Sequence, residues 1–445
     1  MASVDNNNAM WQSLVAWIEG KGGNVHPSLS LRESDTPRGI FATAPIAQGE
    51  TLIRLTHSID GRTLPSQYGD RNVSPWLRCL AAFLMTQDQP YLDSLPTGYD
   101  TLWDWNDEEL ALLKGTTLED WKEQALVARE RYLQQVRPYL EHLNLVPIEP
   151  PDEQRLDKEY DLFLKACQCL STRAFHCEST DEYQGPFLLP VIDLLNHSTS
   201  RKCTTLQRTA DGAFVMVAER SIAVDEEVVH SYGDALTSTQ LLKTFGFVPK
   251  SRTRALVLQS ADPATLSPVL LRKSDILQAC WQVIDSELPQ RLKESMQEQD
   301  LEDEVWDLAV DRSRDSMLIS EDLLVDATNP LSDELVTLAC LPFLPKCAYS
   351  EARSSLLDAS LLEDYYLGKL VCSALLKVLE CKLNDYGETV ETVDSLLSSE
   401  ETRRVAAHTI RLEERASLDA LRVAILHVLE QLDEDDDDAK RMRID

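Results

Sequence analysis

Apolar residues change their spacing several times along this chain, and the changes divide it into segments. Near the start Trp11, Leu14, Val15 and Ile18 stand at i, i+3, i+4 and i+7, one face of a helix that Gly20 and the pair Gly22-Gly23 bring to an end. Three short runs follow with turn residues between them: Leu29-Ser30-Leu31-Arg32, Arg38-Gly39-Ile40-Phe41-Ala42 and Glu50-Thr51-Leu52-Ile53-Arg54-Leu55. They read as short strands. From Trp76 to about Phe175 the spacing is helical again, as in Leu77, Leu80, Ala81 and Leu84, and in Leu126, Leu133, Val136, Leu140 and Leu143. Strand signals resume at Leu188 to Asp193, Thr204 to Arg208, Phe214 to Ala218 and Val228 to Ser231. The pattern predicts a β-rich unit split by a helical insertion.

After Pro249 the strand signal fades and the remainder reads as helix. Leu418, Leu421, Ile425, Val428 and Leu432 make one apolar stripe, of a length suited to packing within its own domain. Asp433 to Asp438 come next, and clustered negative charge at the C-terminal end of a helix dipole predicts that the helix stops there. The expected fold class is α+β. A β-rich unit covers residues 1–250, with an N-terminal part over about 10–75, the insertion over about 76–185 and a C-terminal part over about 186–250. An all-α domain covers 251–432, and 433–445 form an acidic tail with a short basic end, Lys440-Arg441-Met442-Arg443.

Composition narrows the class without identifying it. Hydrophobic residues at 43% and charged residues at 27% describe a chain that folds, and no run approaches the roughly 20 apolar residues of a membrane span. The start, Met1-Ala2-Ser3-Val4-Asp5, has neither the basic nor the apolar region of a signal peptide, so a cytoplasmic or nuclear, unanchored monomer is expected. The cysteines stand singly apart from Cys167 and Cys169, which argues for reduced thiols and against a metal site. The formal charge, 43 minus 75 or −32, disfavours nucleic acid and favours a basic polypeptide partner.

Two apolar runs end on polar residues of the kind that do chemistry. Leu188-Leu189-Pro190-Val191-Ile192 runs into Asp193-x-x-Asn196-His197-Ser198, and Val228-Val229 into His230-Ser231-Tyr232-Gly233. His176 and His230 offer no zinc spacing, and the chain has no Gly-x-Ser-x-Gly elbow, phosphate loop or dinucleotide fingerprint. Taken alone, Asn196 or Ser198 is equally suited to capping a helix.

Order and company separate these readings. Pro37-Arg38-Gly39-Ile40-Phe41-Ala42, Tyr91-Leu92-x-x-Leu95-Pro96, Trp105, Leu112-Leu113-Lys114-Gly115-Thr116, Thr172-Arg173-Ala174-Phe175, the two polar stops and Phe245-Gly246-Phe247-Val248 occur in the order used by one family. The chain resembles the SET-domain protein-lysine methyltransferases of the Rubisco large-subunit methyltransferase type. Tyr386-Gly387-Glu388-Thr389, Asp394, Leu396-Leu397 and Arg411-Leu412-Glu413-Glu414 resemble that group's helical substrate-binding domain, so the likeness covers residues 10–430.

The resemblance implies a SET fold with its knot-like threading, S-adenosyl-L-methionine as cofactor with S-adenosyl-L-homocysteine as product, no metal, and a protein substrate. It assigns cofactor contacts to Arg38, Gly39, Ile40, Arg173, Asp193, Asn196, His197 and Tyr232, catalysis to Tyr232, and the walls of a substrate channel to Phe245 and Phe247. Glycine at 39 fits a close backbone approach to a ligand. Phe245 replaces a tyrosine common in the family, which leaves the number of methyl groups added open, and Thr172 replaces a serine, a mild change. The expected acceptor is a lysine on a non-histone protein, such as a ribosomal or translation protein. Histidine methylation on the same fold and a catalytically silent SET module that binds basic proteins are the alternatives.

Overall fold

The computed structural model describes residues 2–33, 38–64, 73–148, 152–177, 184–287, 322–344, 359–363, 365–386 and 401–442. Pro37, Gly387-Glu388-Thr389, Asp394 and Leu396-Leu397 lie outside the described residues. The chain forms two units. The first holds Met1–Asp104, Glu123–Leu236 and Thr244–Gly246, and the second Trp105–Lys122, Thr237–Lys243 and Phe247–Asp445. Their boundaries differ from a cut near residue 250, because one piece of the insertion and one piece just after Gly233 pack with the later residues.

In the first unit the helix Ala2–Gly20 turns Trp11, Leu14 and Ile18 inward, as its spacing predicts. The strands are β1 (Asn24–Val25), β2 (Leu29–Arg32), β3 (Gly39–Ala42), β4 (Thr51–Leu55), β5 (Ile59–Asp60), β6 (Ala174–Phe175), β7 (Phe187–Leu188), β8 (Asn196–His197), β9 (Thr204–Arg208), β10 (Phe214–Ala218) and β11 (Val229–His230). They form a four-stranded antiparallel sheet in the order β1-β4-β10-β9, a pair β2-β3, a three-stranded sheet β5-β7-β6 and a parallel pair β11-β8. β10 lies between two partners and is buried on both faces, at Phe214 and Met216 on one and Val215 on the other, which is why its sequence, Phe214-Val215-Met216-Val217-Ala218, is an unbroken apolar run rather than an alternation.

The insertion between β5 and β6 is helical, with Pro75–Met85, Gln89–Ser94, Trp121–Arg131 from Glu123 on, Arg137–His142 and Glu153–Arg173 as its segments in this unit. Its expected stripe is corrected in part. Leu140 and Leu143 are buried, whereas Leu126 and Leu133 face solvent. A π-helical turn over Tyr132–Val136 shifts the register and sets Tyr132 on the core face instead, its ring tilted 36° to that of Phe163 at 4.5 Å.

The expected strand over Leu188 to Asp193 is also corrected. Strand β7 ends at Leu188, Val191 takes φ 71° and ψ −46°, and Ile192–Leu194 form a 3-10 turn. All of these residues are buried, so the apolar run carries no period that tells strand from turn. A β-branched residue at positive φ is strained, and the surrounding core must hold it there.

The second unit packs the helices Lys273–Glu287, Asp333–Cys340, Tyr365–Asp385 and Thr402–Met442 around one apolar core. Leu418, Leu421 and Ile425 are buried in it as the stripe predicts, and Leu432 further along is buried as well. Two expectations fail here. An antiparallel pair, β12 (Val269–Arg272) with β13 (Asp322–Val325), interrupts the all-helical reading, since four-residue alternations are too short to stand out. The last helix also continues through Asp433–Asp438 to Met442.

Buried carboxylates fix the early segments of this unit. Glu413 accepts hydrogen bonds from Ser238 Oγ at 2.6 Å and from the Ser267 amide and hydroxyl at 3.0 and 2.7 Å. Glu414 accepts from the Thr117 amide at 2.9 Å and the Tyr386 hydroxyl at 2.7 Å, while Arg411 donates to the Leu112 carbonyl at 2.7 Å.

Candidate active site

The site lies in the first unit, where β8 and β11 run side by side in parallel with Val229 opposite Asn196 and His230 opposite His197. The pairing continues one step, as the Ser198 amide donates to the His230 carbonyl at 3.0 Å. The two polar stops of the sequence are thereby brought together at adjoining strand ends.

Tyr232 leaves β11 with its backbone amide donating to His197 Nδ1 at 3.0 Å. That nitrogen accepts, so the His197 proton resides on Nε2. The Tyr232 hydroxyl donates to the Leu195 carbonyl at 2.9 Å, and its ring lies 5.1 Å from His197 and 4.8 Å from Phe245. Burial pushes the phenol up to about 12, with Arg173 opposing, so it stays protonated at neutral pH.

Asp193 sits one turn earlier with its side chain wholly buried. Its Oδ2 accepts from the Tyr91 hydroxyl at 2.9 Å and lies 3.8 Å from the Arg173 guanidinium, which also donates to the Asp193 carbonyl at 2.7 Å. Burial raises the carboxyl above its ordinary value, and Arg173 and Tyr91 pull it back. Arg173 Nε, Asp193 Oδ1 and Ser231 Oγ are buried with no hydrogen-bond partner. Buried polar atoms without partners are costly, so three of them in one place call for a polar ligand or water.

A second cluster surrounds Asn196. Its amide nitrogen donates to the Arg38 carbonyl at 3.0 Å and to Glu227 Oε1 at 2.8 Å. A Cβ on Gly39 would stand 2.6 Å from Glu227 Oε1 and 2.7 Å from Asn196 Nδ2. The missing side chain therefore makes room for these two residues, which is a more specific reason for glycine than approach to a ligand. Ile40 is fully buried in β3, and its carbonyl accepts from the Val228 amide at 2.7 Å.

A cleft of about 770 Å³ opens beside these groups, lined by Arg173, Phe175, Asp193, Arg208, Tyr232 and Phe245 among others. Arg173, Asp193, Tyr232 and Phe245 thus share one wall. Arg38, Gly39 and Asn196 gather around Glu227, His197 lies under Tyr232, and Phe247 is half-buried in the second unit. The sequence pattern passes over Glu227 and the Leu195 carbonyl, and offers Tyr91 and Ser231 only as motif letters. Glu227 stands in the acidic run Asp225-Glu226-Glu227, where nothing marks one carboxylate from another. Among the described residues no group of three or more His, Cys, Asp or Glu side chains is placed to hold a metal ion, no helix is long and apolar enough to cross a membrane, and the cysteines are free thiols.

Residues 37–233 match the family described as SET domain. The chloroplastic fructose-bisphosphate aldolase-lysine N-methyltransferase of Arabidopsis thaliana is 28% identical over 211 residues, 43% of this chain and 42% of that protein. SET domain-containing protein 8 of Schizosaccharomyces pombe is 26% identical over 162 residues, 36% of this chain and 34% of that protein. The chain thus spans less than half the length of either relative. Among solved structures, the SET domain of LSMT bound to lysine and AdoHcy superposes with a TM-score of 0.64 at 17% identity, covering 96% of this chain and 93% of that one. Rubisco LSMT bound to AdoMet gives 0.62 at 18% identity, with coverage of 96% and 93%. At such identities the likeness is one of fold.

Proposed function

We propose, for a chain whose residues 37–233 are a SET domain in the fold of Rubisco LSMT, that it methylates lysine side chains of other proteins with S-adenosyl-L-methionine as donor. The observation that carries this reading is the parallel pairing of β8 with β11, which brings Asn196 near the end of β11, where Tyr232 follows and lines the cleft.

The donor set suits that cofactor. Its amino-acid end needs an anion for the ammonium and a cation for the carboxylate, and the partnerless Asp193 Oδ1 and Arg173 Nε are a pair of that kind. Asn196, held by Arg38 and Glu227, and His197, held by the Tyr232 amide, are fixed beforehand, so binding costs little reordering. When bound, the cofactor supplies an electrophilic methyl group on a positively charged sulfur.

The protein's own task is to present a neutral amine in line with that methyl. Free lysine, with a pKa of about 10.4, is almost wholly charged at pH 7. The Phe175 and Phe245 walls disfavour the ammonium and so lower its pKa. Tyr232, protonated and anchored on the Leu195 carbonyl, turns its hydroxyl oxygen toward the amine and opposes the spread of positive charge as the methyl moves.

The fructose-bisphosphate aldolase relative, named for lysine methylation of an enzyme, supports a non-histone acceptor. The charge of −32 supports a basic one, such as a ribosomal or translation protein met in the cytoplasm or nucleus. Incubation with labelled cofactor and a methyl-deficient cell extract, followed by mapping of the labelled residue, tests the reading. Label on lysine of one or a few proteins is expected, and its absence from protein sinks the proposal.

A further inference from the structure

Arg38 stands just ahead of β3, and its two ends are tied to different elements. Its carbonyl accepts from Asn196 Nδ2 at 3.0 Å, and its guanidinium donates to the carbonyl of Ser94, the last residue of the helix Gln89–Ser94. The Ser94 hydroxyl donates to the Tyr91 carbonyl at 2.6 Å, and the Tyr91 hydroxyl to Asp193 at 2.9 Å. One turn of helix thus links the Arg38 guanidinium to the buried carboxylate that also faces Arg173 at 3.8 Å. Ser94 and Tyr91 are themselves buried, so the arginine is held by a fixed part of the core.

Charge does not balance at this place. Asp193 is one carboxylate in the field of two guanidiniums, those of Arg173 and Arg38. The Ser94 carbonyl is an uncharged acceptor and leaves the Arg38 charge standing. Tyr91, Tyr99 and Cys169 border the same group, and burial keeps the two phenols protonated and pushes the thiol up to about 11. Glu227 accepts from Asn196 at 2.8 Å and lies 3.5 Å from Arg201, so it has a cation of its own. Burial and then the like charge of Arg173 lower the Arg38 pKa, with Asp193 opposing, and a guanidinium so placed still keeps its proton at neutral pH. Two guanidiniums that share one carboxylate repel each other, and a second carboxylate relieves the repulsion.

We propose that the Arg38 guanidinium joins that of Arg173 in holding the carboxylate of S-adenosyl-L-methionine. The proposal rests on the methyltransferase reading and deepens it. Asp193 serves the donor's ammonium and the two cations serve its carboxylate, so the site recognises the amino-acid end by charge and not the adenosine part alone. Binding costs little side-chain entropy, because Ser94 already holds one edge of the Arg38 guanidinium.

Calorimetric titration of the full chain with S-adenosyl-L-homocysteine, and with the aminopropyl thioether of adenosine that lacks only the carboxylate, tests this. The unaltered protein is expected to bind S-adenosyl-L-homocysteine about a hundredfold more tightly than the second ligand. Arg38→Gln can still donate to Ser94 but carries no charge, and it should weaken S-adenosyl-L-homocysteine about tenfold while leaving the carboxylate-free ligand unchanged. Unchanged binding of that ligand also shows the variant to be folded. Arg38→Lys keeps the charge without the planar fork and should weaken S-adenosyl-L-homocysteine only about threefold. Equal affinity of the unaltered protein for the two ligands, no loss in Arg38→Gln, or a loss shared equally by both ligands in both variants overturns the proposal and leaves the methyltransferase reading intact. No binding of either ligand by the unaltered protein overturns both. Carboxylate-dependent binding that Arg38→Gln reduces, without transfer of labelled methyl to any protein of the cell extract, counts against the methyltransferase reading and not against the role of Arg38.

Discussion

The hydroxyl of Tyr232 donates to the carbonyl of Leu195 at 2.9 Å, tying the end of β11 to the residue just before β8. This bond fixes where the phenol oxygen presents its lone pairs. Tyr232→Phe keeps the ring between His197 and Phe245 and removes only that oxygen. Turnover should fall by about a hundredfold or more, on the scale of losing one preorganised polar group in a transition state. Cofactor affinity should change little, because the group acts mainly as the methyl moves. Steady-state kinetics with calorimetric cofactor titration separates the two, and full turnover in the mutant would refute the role.

Asn196 bridges two acceptors, the Arg38 carbonyl and Glu227 Oε1. Asn196→Ala leaves the carboxylate and carbonyl facing each other without a donor, at a cost of about 1–3 kcal/mol. Both the cofactor site and the join between β3 and β8 depend on that bridge. S-adenosyl-L-methionine should bind about tenfold to a hundredfold more weakly, at about 1.4 kcal/mol per tenfold. An unchanged dissociation constant by calorimetry would show that Asn196 only holds the fold together.

How much of this was legible in the sequence depended on whether periodicity or long-range pairing decided the outcome. The helix at Trp11, Leu14 and Ile18, the central strand at Phe214 to Ala218 and the stripe from Leu418 to Leu432 were readable because each buries a face whose period is its own. Val191 was not readable, since its positive φ is imposed by the packing around Leu189, Ile192 and Leu194. The parallel pairing of β8 with β11 joins residues more than thirty positions apart, and no local pattern specifies it. Family resemblance brought both strands to attention. It did not show that Glu227, Tyr91 and Leu195 fasten them in place.

Gly39 offers a test of how tightly that fastening is built. Gly39→Ala forces a methyl to within 2.6 Å of Glu227 and 2.7 Å of Asn196, so both side-chain ends must shift. Both contacts are side-chain ends that can turn aside, so the variant should lose about 0.5–1.5 kcal/mol, the net worth of the Asn196–Glu227 hydrogen bond that gives way. Gly98, which has nothing within 4 Å of a built Cβ and no positive φ, is the control, and Gly98→Ala should be near neutral. Denaturant unfolding of both variants checks the contrast. Equal effects would mean that the pocket around Gly39 yields without strain.

Glu414 makes the second unit's stability depend on pH near neutrality. Its carboxyl is wholly buried, and burial raises its pKa to about 7, with the Thr117 amide and the Tyr386 hydroxyl opposing. In the unfolded chain the same group titrates near about 4.3. Between those values the folded state holds a proton that the unfolded state has released, so stability falls as pH rises from about 4.5 to about 7. The contribution is fully present below that window and lost above it. Glu414→Gln cannot ionise and still offers an oxygen to Thr117, so its stability should be flat where the unaltered protein's declines. The gap should approach about 4 kcal/mol by pH 8, at about 1.36 kcal/mol for each pH unit between the folded and unfolded values. Thermal unfolding of both proteins at pH 5 and pH 8 reads this directly. Parallel profiles would mean that Glu414 keeps its charge when folded, balanced by its hydrogen bonds and by Lys382 nearby.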